Sequence, residues 1–216
     1  VLGYVGFQAL FSGLQTGVDN AKQFSDQTTE LEIQLNKAAG GANQLVDELS
    51  KLDTRTKLTT LEEIANIALK AGTSEQNLLG VTKAIDTVKT AFGKDFGDIE
   101  TGTETMVKLI NIFFEDGQVT EDRILKIGNS IRTLANETVA SVPFINDFSG
   151  RMAGLRQVAN VTLPQIIGLG AGFEEFKQSS EVASTVLVKV IPQMARDVQT
   201  FADIAGVSRE EFKKLL

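Results

Sequence analysis

Neither cysteine nor histidine occurs in this 216-residue chain. Without thiolate or imidazole there are no ligands for a zinc finger or a haem attachment, and no Cys- or His-based general acid or base. Any chemistry would rest on carboxylates, lysine, serine or threonine. The same lack leaves the compartment unmarked, because no disulfide reports an oxidising environment. Basic runs are missing too. With 21 Lys and Arg against 28 Asp and Glu the formal charge is −7 and the sequence pI is about 4.8, the wrong sign for a protein that grips phosphate backbones. Specific nucleic-acid binding is therefore not expected. The one apolar opening, VLGYVGFQALFSGL at residues 1–14, has no basic n-region or cleavage site and is too short to span a bilayer. It reads either as a truncated hydrophobic helix or as the start of a buried one. A first residue that is Val leads us to expect chain upstream.

What is present suits an ordinary folded protein. Hydrophobic residues make up 42% and charged residues 23%, enough for one sizeable core or two small ones in water. A seven-residue rhythm runs through Phe7, Leu10, Leu14, Gly17, Ala21, Phe24, Thr28, Leu31, Leu35, Ala38, Ala42, Leu45, Leu49 and Leu52 in alternating steps of three and four. Such spacing makes an a/d seam, which either packs inside the monomer or joins copies of the chain. Gly17 and Thr28 are weak members, and Gly40-Gly41 is expected to break or kink the helix. The stretch Leu31, Leu35, Ala38, Ala42, Leu45, Leu49 and Leu52 is the candidate oligomer seam, with sister copies as partners. Residues 1–52 thus form a heptad-patterned segment and 53–216 a second, multi-helix region.

Beyond residue 53 the chain carries helix start and stop signals in series. Thr60-Leu-Glu-Glu63 has the form of a capping box, ahead of inward Ile64, Ile67 and Ala68 and a stop at Gly72. Thr73-Ser-Glu-Gln76 opens a helix with Leu78, Val81, Ala84, Ile85, Val88 and Phe92 on one face and Gly93 behind it. Further helices are predicted over 99–115 and 120–135, after Ser141-Val-Pro143, after Thr162-Leu-Pro-Gln165, and over 180–204 with an interruption or kink at Pro192. Ser208-Arg-Glu-Glu211 opens a last one, which the sequence stops short, so chain is expected downstream as well. Strand alternation flanked by hairpin turns is lacking, and the ambiguous stretch 186–191 sits in a helical context. The predicted fold class is all-α: a long N-terminal helix or coiled-coil-like seam, then a bundle of short capped helices.

Sites of chemistry are scarce. Gly168-Leu-Gly170-Ala-Gly172 lacks the G-x-G-x-x-G spacing and a preceding strand, and reads as close helix approach or a hinge. Asp95, Asp98, Glu100 and Glu104 lack the order of an EF-hand and suit a solvated helix N-terminus. Asn136-Glu-Thr138 and Asn160-Val-Thr162 match the glycosylation sequon, which matters only in a secretory context. No catalytic residue, metal ligand or cofactor is assigned.

Four segments in order carry a resemblance: LTTLEEIANIALKAGTSEQNLLGVTKAIDTVKTAFGKDF at 58–96, ILKIGNSIRTLANETVASVPFINDF at 124–148, VANVTLPQIIGLGAGFEEF at 158–176 and IAGVSREEFKKLL at 204–216. Their succession resembles the core region of phage tail tape measure proteins, over about residues 20–216. One departure is the charged, bulky stretch 173–180, where the family commonly has a small Gly/Ser-rich turn. The resemblance implies a structural protein packed inside the tail tube of a virion, in its lumen or at its tip. Its helical length would set tube length during assembly, and it would leave ahead of DNA at infection. Implied partners are sister copies, tail tube and baseplate hub proteins, and a host membrane met through residues 1–14 and chain upstream of them. The competing readings are a membrane-active helical protein, supported by the Gly3, Gly6, Gly13 and Gly17 spacing, and a carboxylate-dependent lytic enzyme segment.

Overall fold

A computed structural model of the chain describes residues 2–37, 40–114, 116–152, 154–155 and 161–215, with side chains from 15 to 213 among these. Eleven helices and no strand occur in the described residues. They are α1 (Leu2–Gln34), α2 (Asn43–Ser50), α3 (Leu58–Lys70), α4 (Glu75–Phe92), α5 (Ile99–Phe113), α6 (Glu121–Glu137), α7 (Val142–Met152), α8 (Leu163–Glu175), α9 (Ser180–Arg196), α10 (Val198–Ala205) and α11 (Arg209–Leu215), with a 3-10 turn at Gly93–Phe96 between α4 and α5.

The punctuation of these helices follows side-chain chemistry. Asp98, Thr120 and Ser179 cap α5, α6 and α9 by accepting from the backbone N–H three residues on. At the start of α8, Gln165 Oε1 accepts from the Thr162 N–H at 2.8 Å, and at α11 Ser208 and Glu211 complete both halves of the box, Glu211 N–H to Ser208 Oγ at 3.2 Å and Ser208 N–H to Glu211 Oε2 at 3.0 Å. The heptad rod breaks in the stretch that holds Gly40-Gly41, already ending at Gln34, where Asn36 turns left-handed at φ 53° and Gly40 follows at 83°. Two other expectations are corrected. Thr60 is no cap: α3 already starts at Leu58, with Lys57 in the extended cap position. Pro192 stays inside α9, and the chain breaks instead at Asp197, whose side chain caps α10 through the Thr200 N–H. Val188, whose carbonyl loses its partner to Pro192, lies on the exposed side of the helix.

One apolar core joins α1 to α8, and a second lies among α7, α8 and α9. Leu31, Ala42 and Leu49 share the first with Leu61, Ile64, Leu78, Ile85, Met106, Ile110, Ile124 and Ile131. Central in it is α3, buried on nearly every side, which is the pattern of a helix wrapped by others. Packing there is close: a Cβ at Gly128 of α6 would meet Val88 Cγ2 of α4 at 2.5 Å. The second core is built around Phe148, with Phe144 and Phe173 rings 6.1 and 6.2 Å away, and Gly170 of α8 leaves room for it, a Cβ there meeting the Phe148 ring at 2.7 Å. The close-approach reading of the 168–172 glycines thus holds at Gly170. At the far end α10 and α11 pair with each other through Phe201 and Phe212 (ring centroids 6.5 Å apart) and meet the rest of the protein mainly through α9.

Candidate interaction surfaces

The heptad row divides into an open half and a buried half. From Gln15 to Asp26 every α1 side chain is exposed, including Phe24 and Val18. From Thr28 onward the row is covered from within the same chain. Of the seven candidate seam residues, Leu31, Ala42 and Leu49 are fully buried and Leu35, Leu45 and Leu52 half-buried, with Leu45 and Leu52 packed on the first core; Ala38 lies outside the described residues. A contact between copies made through these positions would have to open that core.

Where α1 lies on α3, polar contacts run beside the apolar one made by Leu31. Glu62 of α3 is completely buried, and Thr28 donates to its Oε1 at 2.7 Å. Asn66, one turn on, donates to the Gln27 carbonyl at 3.0 Å and to Gln27 Oε1 at 2.8 Å, and Gln34 donates to Asn66 Oδ1 at 3.3 Å. Ion pairs between Lys70 and Glu30 and between Lys37 and Glu75 close the edge. Burial pushes the Glu62 carboxyl above the usual glutamate range, the Thr28 hydrogen bond acting the other way. These polar positions escaped the sequence reading. Their signal is an i, i+4 pair, Glu62 and Asn66, set among the apolar residues Leu61, Ile64, Ala65, Ile67 and Ala68 of the helix.

A second buried carboxylate, Asp86 on α4, is 6% exposed and accepts from the Thr54 and Thr56 hydroxyls, with Lys89 3.8 Å away. It ties the loop ahead of α3 to the core. The acidic cluster of the sequence resolves as expected for a helix start: Asp98 is the α5 cap, held below the usual carboxylate range by the Thr101 N–H, and Glu104 pairs with Lys108. No group of three or more potential metal ligands occurs among the described residues.

Hollows open on the surface of the described residues, two of them apolar. One, about 470 Å³, lies between the 3-10 turn, α5 and α7, over Phe96, Leu109, Ile112 and Pro143. The other, about 720 Å³, is an apolar groove between α8 and α9 lined by Leu169, Phe173, Phe176, Leu187, Ile191 and Met194, with Phe176 76% exposed. Gly168 and Gly172 form part of its wall. Among the described residues no helix is long and apolar enough to cross a membrane.

A family model described as phage-related minor tail protein matches residues 43–215. No curated protein and no solved structure matches the chain.

Proposed function

Because this chain belongs to the phage-related minor tail protein family, and is therefore a protein of the phage tail, we propose that it is the core region of a tail tape measure. In this reading it is a structural protein that occupies the tail tube during assembly, sets the length of the tube by its own helical length, and departs ahead of the DNA. The observation that carries the reading is the family match over residues 43–215 on an all-helical chain entered by a single helix of 33 residues. The net charge of −7 suits a channel that DNA crosses without sticking.

Partners follow from this reading. Tube and baseplate proteins are the implied neighbours, and sister copies meet along the open half of α1, where Gly17, Ala21 and Phe24 continue the heptad row outside the core. Light scattering of the chain at rising concentration checks this: association is expected, with loss in Phe24→Glu, and a monomer at every concentration refutes it.

The length function is tested in the parent phage. Inserting about six extra heptads into α1 ahead of Phe24 is expected to lengthen the tail by roughly 60 Å at 1.5 Å per helical residue. Electron microscopy of the virions reads the outcome. Tails of unchanged length would overturn the proposal.

A further inference from the structure

Thr28 stands between two acceptors. Its Oγ1 is 3.0 Å from the Phe24 carbonyl oxygen and 2.7 Å from Glu62 Oε1, and a hydroxyl has one proton to give. With Glu62 ionised, both neighbours only accept, so one of the two short contacts holds no proton. With Glu62 protonated, its O–H donates to Thr28 Oγ1 and the Thr28 O–H donates to Phe24, and both contacts become hydrogen bonds. The other carboxyl oxygen, Oε2, is buried with no partner, a cost much greater for a charged oxygen than for a neutral one.

No neighbouring charge offsets this. On α1 the charged groups are Asp19, Lys22, Asp26, Glu30 and Glu32, of which Glu30 is held by Lys70 and none acts on Glu62. Glu63 adds another on α3 itself. The α2 helix brings Glu48 and an exposed Asp47–Lys51 pair, α4 brings Asp86 with Lys89, and α5 brings Glu104 paired with Lys108. What acts on the Glu62 carboxyl is burial and the Thr28 hydroxyl. Meanwhile α1 is followed by Asn36 and Gly40 at φ 53° and 83°, two positions able to redirect the chain.

We propose that α1 is a hinged arm latched to α3 through Glu62, docked when that carboxyl carries a proton and loosened when it is ionised, with its pivot at Asn36 and Gly40. Loosening frees Thr28, Gln27 and Gln34 to solvent and withdraws Leu31 from the first core, while α3 to α6 stay packed on one another. The direction with pH follows from the raised affinity of Glu62 for its proton: docking is complete below the ordinary glutamate value of 4.5 and is lost as pH rises through the higher value of the docked state.

A chain without cysteine accepts site-specific labels cleanly. Spin labels at Lys22→Cys on α1 and Thr87→Cys on α4 report the arm by pulsed electron resonance, from about pH 4 to about pH 8. The expected result is a single narrow distance at the acid end that loses its narrow component towards the alkaline end, with far-UV ellipticity unchanged. Glu62→Gln, whose amide N–H donates permanently to Thr28, is expected to stay narrow throughout. The proposal is overturned by a distribution that does not change with pH, by broadening that persists in Glu62→Gln, or by broadening accompanied by loss of helix.

Discussion

Replacing Gly128 with alanine sets two terms of known size against each other. In the middle of a helix, glycine is about 1 kcal/mol less favourable than alanine, so the change alone should stabilise. The structure opposes it: a Cβ at this position meets Val88 Cγ2 at 2.5 Å and Cγ1 at 3.1 Å, and Val88 is a stiff, β-branched side chain only 5% exposed on α4. Forcing a methyl into such a contact costs roughly 1–3 kcal/mol, so the net expectation is a loss of about 0–2 kcal/mol. The cycle with Val88→Ala isolates the contact. That single change removes two buried methyls and should cost roughly 1–3 kcal/mol, but in its background the new methyl of Gly128→Ala fills the vacated space and is expected to stabilise by about 1 kcal/mol. The coupling between the two positions should therefore be on the order of 1–3 kcal/mol. Urea unfolding of the four proteins at fixed pH measures it, with Gly168→Ala as a control, since a Cβ there meets nothing within 4 Å. Equal stabilisation by Gly128→Ala in both backgrounds would refute the close crossing of α4 and α6.

Asp86→Ala leaves the Thr54 and Thr56 hydroxyls without their acceptor and should cost roughly 2–4 kcal/mol; amide exchange over residues 51–57 should quicken more than exchange in α4, and uniform quickening would speak against a local tie. The Asp116 carboxyl, hydrogen-bonded by Arg123 and held down to about 2, is expected to titrate there by NMR and to return towards 3.8 in Arg123→Gln. Because its value is lowered on folding, its contribution is complete above 3.8 and disappears as pH falls towards about 2; an unshifted titration in the native chain would count against the pair.

How much of this was legible in the sequence depends on what each residue needed to know. The inward faces of α3 and α4 were readable because Ile64, Ile67, Ala68, Leu78, Val81, Ala84, Ile85, Val88 and Phe92 keep helical spacing, and all are buried. Thr120 and Ser208 declared helix starts through local chemistry. Thr60 carried the same local signal without becoming a cap, because the hydrophobic face beginning at Leu58 draws the helix back by a turn. The heptad row is visible in the sequence, but a 3.5-residue spacing does not say who covers it. Only the turn at Asn36 and the placement of α3 show that the half from Thr28 onward is taken up inside the monomer. Glu62, Asn66 and Asp86 depend on partners 30 to 39 residues away, a separation at which a sequence pattern carries no information about pairing.

The pairing of α10 with α11 has a mechanical consequence. These two short helices carry their own small stack of Phe201 on Phe212 and reach the body through the single break at Asp197. A pull applied along the chain from this end would be borne first by that stack, which buries little beyond Ala202 and Phe212, and only afterwards by the Phe148 core. Under such a load the last two helices are expected to yield before α3 to α6.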